Sequence, residues 1–169
     1  GNWVIAMPST PANYFHLLRL HTLGARKRPL IVFTPKSMLR LRAAASMPAE
    51  FTESHFQPVI TEPTDNPSAV RRVLLCSGKI YYDLIKKREA LGRTDVAILR
   101  IERLYPLPTI EIAAALSSYP EDAELVWVQE EPANQGAWPF VTLRMQEQSA
   151  IRPLLRVSRN ASAAPSTGS

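Results

Sequence analysis

Hydrophobic positions along this chain fall into short apolar runs separated by amphipathic stretches, the rhythm of alternating strands and helices. Val4-Ile5-Ala6 reads as a short strand. Ser9-Thr10-Pro11 then opens a helix, with a capping hydroxyl and a proline in the first turn. Tyr14, Leu17, Leu18 and Leu20 form its expected apolar face over residues 13–23, and Gly24 closes it. Arg26-Lys27-Arg28-Pro29 is a polar turn before Leu30-Ile31-Val32-Phe33, a continuous apolar run expected of a strand covered on both faces. Two parallel strands joined by a helix need a sheet to belong to, because two strands alone leave two open edges. The opening segment is therefore expected to complete a larger sheet encoded before Gly1.

Residues 34–67 are rich in loops and contain Pro35, Pro48, Pro58, Pro63 and Pro67. They read as a connection between two domains, with a short helix over 37–41 and a short strand over 57–60. From Val70 the pattern sharpens. Strands are expected over 70–76, 95–101 and 125–129, and helices over 79–90 and 109–118. Ile80, Tyr81, Leu84 and Ile85 point inward from the first of these helices. Such alternation predicts a parallel, right-handed α/β sheet. A further helix over 137–148 and a last strand over 154–158 complete it. The expected division is 1–45, the end of one domain; 46–69, a linker; 70–160, a second α/β domain; and 161–169, a loose polar tail.

Of the 169 residues, 46% are hydrophobic and 21% charged, which supports a packed core. No apolar run is long enough to cross a membrane, and there is no signal peptide. The single cysteine, Cys76, excludes an internal disulfide framework and suits a reducing cytoplasm. It lies in the apolar run Val73-Leu74-Leu75-Cys76 and reads as a core residue. The net charge of +5 raises nucleic-acid binding, but the basic residues are scattered and no recognition motif accompanies them. Three histidines and one cysteine show no metal-ligand spacing. His16 and His21 read as packing or surface residues.

The densest cluster of special residues is Gln129 to Pro139, Gln-Glu-Glu-Pro-Ala-Asn-Gln-Gly-Ala-Trp-Pro. It follows the expected strand Leu125-Val126-Trp127-Val128, at the end where ligands and partners dock in open α/β sheets. Two readings stand, a tightly packed structural corner and a direct part in chemistry. Glu130 and Glu131 are adjacent and point opposite ways on an extended chain, which argues against a shared proton dyad. One of them is expected to pair with an arginine, Asn134 and Gln135 to cap backbone groups, and Trp138 to anchor an interface.

Two further places offer an anion seat. Ser77-Gly78-Lys79 stands between a strand and a helix, where backbone N–H groups, a hydroxyl and an ammonium converge, or where a tight turn simply reverses the chain. Lys36, Ser37 and Arg40 follow a strand end and either bind a phosphate, as of an allosteric nucleotide or acyl-CoA, or form a solvated basic face.

The strings Pro8-Ser9-Thr10-Pro11-Ala12-Asn13-Tyr14-Phe15-His16-Leu17-Leu18-Arg19 and Pro29-Leu30-Ile31-Val32-Phe33-Thr34-Pro35-Lys36-Ser37-Met38-Leu39-Arg40 resemble the thiamine-dependent, decarboxylating component of 2-oxoglutarate dehydrogenase. Cys76-Ser77-Gly78-Lys79-Ile80-Tyr81-Tyr82, Val96-Ala97-Ile98-Leu99-Arg100-Ile101-Glu102, Leu104-Tyr105-Pro106-Leu107-Pro108 and the stretch 129–139 extend the resemblance over nearly the whole chain. Ala6-Met7-Pro8 and Pro132-Ala133-Asn134 are closest in wording to the actinobacterial multifunctional branch.

The resemblance implies a fold of the α/β class. It would be a parallel-rich three-layer sandwich of the transketolase C-terminal type, preceded by the last βαβ part of a pyrimidine-binding domain. It further implies a cytoplasmic homodimer using thiamine diphosphate and magnesium to decarboxylate 2-oxoglutarate oxidatively in the tricarboxylic acid cycle. The succinyl group would pass to an acyltransferase or lipoyl component, and acetyl-CoA is an implied effector. The family's diphosphate-binding Gly-Asp-Gly region, activating glutamate and substrate-binding histidines match no position here. No catalytic residue is assigned, and this stretch is expected to supply framework, dimer contacts and an effector site. The rival reading is a non-catalytic module that binds a nucleotide, CoA or a protein. The chain departs from the family at Arg19-Leu20, where a basic pair is usual, in a shortened 141–151 region, and in its Gly168-Ser169 end.

Overall fold

A computed structural model describes residues 2–25, 27–147 and 152–164. Two sheets carry the architecture. The smaller has the order β2-β1-β6, with β1 (Val4–Ala6) parallel to β2 (Leu30–Val32) and antiparallel to β6 (Arg103–Tyr105). Helix α1 (Pro11–Leu23) makes the crossover from β1 to β2. Thr10 caps it by accepting from the Asn13 N–H at 3.2 Å, and Pro11 fills the first turn, where a missing N–H costs nothing.

The larger sheet has the order β3-β5-β4-β7-β8. Strands β4 (Arg72–Cys76), β5 (Val96–Ile101), β7 (Glu124–Pro132) and β8 (Leu154–Arg159) run parallel, while β3 (Val59–Thr61) joins β5 antiparallel. Side chains alternate across this sheet. Val73, Leu75, Leu99, Ile101, Leu125 and Trp127 meet α4 (Thr109–Leu116) and α5 (Trp138–Gln146) on one face. Leu74, Cys76 and Ile98 meet α3 (Ile80–Ala90) on the other. The result is a mixed α/β structure with helices on both faces of the main sheet. Cys76 is fully buried, and burial pushes its thiol up to about 12, so it packs as a small apolar residue.

Several expectations change. The inward face of α1 is Ala12, Asn13, His16 and Leu17, whereas Leu18 and Leu20 are 45% and 55% exposed. Two polar side chains displace two leucines because buried hydrogen-bond partners await them. The run at β2 is not covered on both faces, since Ile31 and Phe33 are exposed at the edge of a three-stranded sheet. Residues 34–69 hold a 3₁₀ turn at Lys36–Arg40 and β3, close to the short helix and strand expected there, together with an additional short helix α2 (Pro48–Thr52). The small sheet takes its third strand, β6, from beyond residue 100. Arg26 of the basic turn, the end of the 137–148 helix, and positions 148–151 of the altered region lie outside the described residues. So do positions 165–169 of the tail.

Candidate functional site

The main chain passes from the large sheet to the small one at a single residue. β5 ends at Ile101, β6 begins at Arg103, and Glu102 between them is wholly buried. Its backbone N–H donates to the Pro58 carbonyl at 2.9 Å, and its carbonyl accepts from the Met7 N–H at 2.8 Å. Its carboxylate accepts the Ser9 hydroxyl at 2.6 Å, the Ser9 N–H at 2.7 Å and the Asn13 amide at 2.9 Å. Ser9 is thereby held at every polar atom, because its carbonyl accepts the Tyr82 hydroxyl at 2.5 Å and its Oγ accepts Arg100 Nη1 at 3.0 Å. Arg100 also donates to Glu62 at 3.0 Å and lies 4.0 Å from the centre of the Tyr81 ring. Burial raises the Glu102 carboxyl above its ordinary range, opposed by the Ser9 and Asn13 hydrogen bonds and by Arg100.

Of this network, Ser9 alone reaches a cavity of about 450 Å³, walled by Ser9, Thr10, Tyr14, Pro35, Met38 and Arg40 among others. Lys36, Ser37 and Arg40 are all exposed. Their turn is 3₁₀, with three residues per revolution, so Ser37 and Arg40 share a face and Lys36 lies on the next. Of the three, Arg40 lines the cavity. The signal for that network was present in the sequence, as Arg100 within an otherwise apolar strand and Glu102 just past its end.

At Ser77-Gly78-Lys79, the Ser77 hydroxyl donates to the Ile101 carbonyl at 2.8 Å, and Lys79 pairs with Glu130. Gly78 has φ +72, and a Cβ there would meet the Met7 side chain at 2.3 Å. Both polar side chains of this turn thus have partners within the chain.

The 129–139 corner is organised by Gln129, which the sequence reading did not single out. Its Oε1 accepts from the Trp127 indole at 2.9 Å and from the Trp138 N–H at 3.0 Å. Its amide nitrogen donates to the Pro132 carbonyl at 3.0 Å and the Gln135 carbonyl at 2.7 Å. Gly136, at φ +68, lets the chain close over it, since a Cβ would lie 3.0 Å from the Gln129 side chain. Glu130 pairs with Lys79, and its carbonyl accepts from Arg159 Nε at 2.8 Å. Glu131 turns to the other side and lines a second cavity of about 640 Å³, with Ile5, Met7, Phe33, Tyr105 and Phe140. Asn134 and Gln135 do cap backbone: the Asn134 amide exchanges two hydrogen bonds with Ser162, and Gln135 donates to the Ser162 carbonyl. They hold the described part of the tail against the corner. Trp138 is partly buried against the main core, and the Arg156 guanidinium lies 5.5 Å from its ring centre.

Residues 45–169 match the family described as 2-oxoglutarate dehydrogenase C-terminal. The whole chain aligns at 53% identity with a multifunctional 2-oxoglutarate metabolism enzyme of Mycolicibacterium vanbaalenii. A second protein of that name, from a Mycobacterium species, aligns at the same identity over the whole chain. The 2-oxoglutarate dehydrogenase E1/E2 component of Corynebacterium glutamicum is 52% identical over 99% of the chain. The chain spans 14% of the length of each of these relatives.

Gln129→Ala leaves two N–H donors and buried carbonyls without partners. We expect it to lower the unfolding free energy by at least about 2 kcal/mol in urea titration. Glu130→Ala, which breaks a pair whose side chains are 39% and 43% exposed, should lower it by no more than about 1 kcal/mol. Glu102 carries a pH signature. Its folded pKa is raised, so its proton stabilises the fold below the unfolded carboxylate value, and that stabilisation is lost as pH rises through the folded value. The stability of the wild type relative to Glu102→Gln should accordingly fall as pH rises from about 4.5, the ordinary glutamate value, towards neutrality. Urea titrations across that range check the sign, and an increasing difference would contradict it.

Proposed function

Because the chain belongs to the 2-oxoglutarate dehydrogenase C-terminal family, we propose that it serves as the C-terminal framework of a thiamine-dependent 2-oxoglutarate dehydrogenase. The observation that carries this reading is the 53% identity over the full chain. The whole enzyme would oxidatively decarboxylate 2-oxoglutarate and pass the succinyl group to an acyltransferase or lipoyl component, as a cytoplasmic homodimer. The finer fold reading goes with it. Residues 70–160 would form a three-layer sandwich of the transketolase C-terminal type, and residues 1–45 the last βαβ unit of a pyrimidine-binding domain, joined by 46–69. The helices on both faces of the large sheet and the parallel β1–β2 pair support it.

Thiamine diphosphate, where bound, supplies the electron sink for decarboxylation. No group of three His, Cys, Asp or Glu side chains suited to a metal lies among the described residues. No residue of this stretch is given a step in the chemistry. What they supply is support. The Ser9–Glu102–Arg100 network joins the two sheets, and the 129–139 corner docks α5 and the tail. Trp3, Phe15, Leu18, Leu23, Ile31 and Phe33 leave α1 and the small sheet with an apolar exterior, which suits contact with the remainder of the subunit and with its dimer mate. Trp138 at the corner would add to that contact.

The cavity above Ser9 is the proposed effector pocket. Its apolar walls and Arg40 suit an acyl-CoA or nucleotide, with Lys36 and Ser37 reaching its phosphates from the rim and acetyl-CoA the expected ligand. Ser77 and Lys79 remain a weaker phosphate seat, requiring Lys79 to leave Glu130.

A longer polypeptide carrying this stretch should release carbon dioxide from 2-oxoglutarate when given thiamine diphosphate and magnesium. This chain alone should show no calorimetric heat with them. Stoichiometric binding by this chain would overturn the framework reading. In the longer enzyme, Lys36→Ala with Arg40→Ala should raise the acetyl-CoA activation constant on the order of tenfold, the loss of charge-assisted contacts. An unchanged constant in steady-state assays would remove the effector pocket.

A further inference from the structure

The two faces of the small sheet are unequally covered. Side chains alternate along its parallel strands, so Ala6, Leu30 and Val32 face α1 and pack with Leu17 and Tyr14. Ile5 and Ile31, which are register partners, point the other way, and Met7 and Phe33 follow them two positions on. Parallel strands in α/β structures are covered on both faces by helices. On this second face Ile31 and Phe33 are 38% and 51% exposed. Ile5, Met7 and Phe33 form one wall of the cavity of about 640 Å³ whose other walls come from β7 and α5.

Strand β7 sets the chemistry of that cavity. Trp127, Gln129 and Glu131 stand at alternate positions along it, and all three line the cavity. Trp127 adds apolar surface to that of Tyr105 and Phe140, whose ring centres are 5.6 Å apart. The Gln129 amide is engaged within the corner, and the Ser77 hydroxyl is engaged by the Ile101 carbonyl. Glu131 is exposed and is the one charged side chain among the described lining residues. Among the described residues it makes no ion pair. The cavity is therefore apolar and aromatic with a single negative charge at its β7 end.

A small molecule in the cavity would leave Ile31 and Phe33 bare. An amphipathic helix instead lays a row of apolar side chains along such a groove, at i, i+3 or i+4, and i+7. The sign of the one charge asks that helix for a lysine or arginine. A second copy of this face would bring a like carboxylate, because a two-fold contact presents the same patch from both sides. The chain spans 14% of the length of its relatives, and a segment tethered in the same polypeptide docks at a high effective concentration.

We propose that the cavity seats an amphipathic helix from another part of a longer polypeptide, with its apolar row on Ile5, Phe33 and Phe140 and a basic side chain on Glu131. The inference rests on the framework reading and gives it a definite contact. Glu131 is the ionic anchor of that contact, and the docked helix covers the second face of the small sheet.

The test uses the longest natural polypeptide carrying this sequence, with Phe33→p-benzoylphenylalanine as a photo-crosslinker. Irradiation should join it to one segment of the same molecule that shows the apolar helical spacing and a lysine or arginine, as read by mass spectrometry after digestion. Mixing isotope-labelled with unlabelled polypeptide separates links within a molecule from links between molecules. Glu131→Lys should lower the yield of the link, and Glu131→Gln should lower it less, since reversal adds repulsion where neutralisation only removes attraction. Links solely between molecules, a linked segment without a basic residue, no link to protein, or a yield indifferent to Glu131→Lys would each overturn the proposal. The same crosslinker at Ile31 provides a second position should the Phe33 variant not fold. Carbon dioxide release from 2-oxoglutarate by the same preparation keeps the framework reading separate. A linked but inactive polypeptide retains the helix seat and removes the framework reading, and an active polypeptide without the link does the reverse.

Discussion

One buried carboxylate sets the geometry of this protein. Glu102 stands where the chain leaves one sheet for the other, and its side chain accepts three hydrogen bonds from Ser9 and Asn13. An ionised carboxylate in a dry interior is strongly unfavourable unless donors surround it. Here the donors come from Ser9, just before the cap of α1, and from Asn13 in its first turn, so the solvation of one group and the docking of a helix are the same event. Arg100 compensates the charge from the adjacent strand, and Glu62, Tyr81 and Tyr82 fix the positions of Arg100 and Ser9. Removing any member leaves another charged or polar group buried without its partner, which makes the junction cooperative.

The proposed effector cavity inherits its rigidity from that junction. Its floor is Ser9, whose N–H, hydroxyl and carbonyl are all engaged, so the wall beneath a ligand cannot shift without disturbing β5. The upper wall, by contrast, is a 3₁₀ turn with exposed Lys36, Ser37 and Leu39 and few internal ties. A stiff floor under an adaptable rim would let the rim of the proposed pocket close on a ligand with little change in the sheet.

The C-terminal corner solves a different problem with a neutral group. β7 runs on past its apolar core, and the chain must then reverse into α5. Gln129 collects the Trp127 indole, the Trp138 N–H and the carbonyls of the turn, while Gly136 supplies the left-handed backbone that lets them converge. Asn134 and Gln135 extend the same device to the tail. An amide can donate and accept without a desolvated charge, which suits a corner where a carboxylate would find donors on one side only.

The repeating pattern of β4, α3, β5, α4, β7, α5 and β8 was legible in the sequence because each element carries its own periodicity, and the density of special residues at 129–139 marked a structured corner. Residues whose environment is local, such as Thr10 at the helix cap and Cys76 in an apolar strand, were also readable. The inward face of α1 was not. Periodicity favoured Leu18 and Leu20, and only tertiary structure, by bringing Glu102 from 89 positions away to Asn13, made the polar face the buried one. For the same reason β6, the exposed side of β2 and the role of Gln129 emerged only in three dimensions. Apolar burial is written in spacing along the chain, whereas a buried polar group is stable only beside partners that spacing does not reveal.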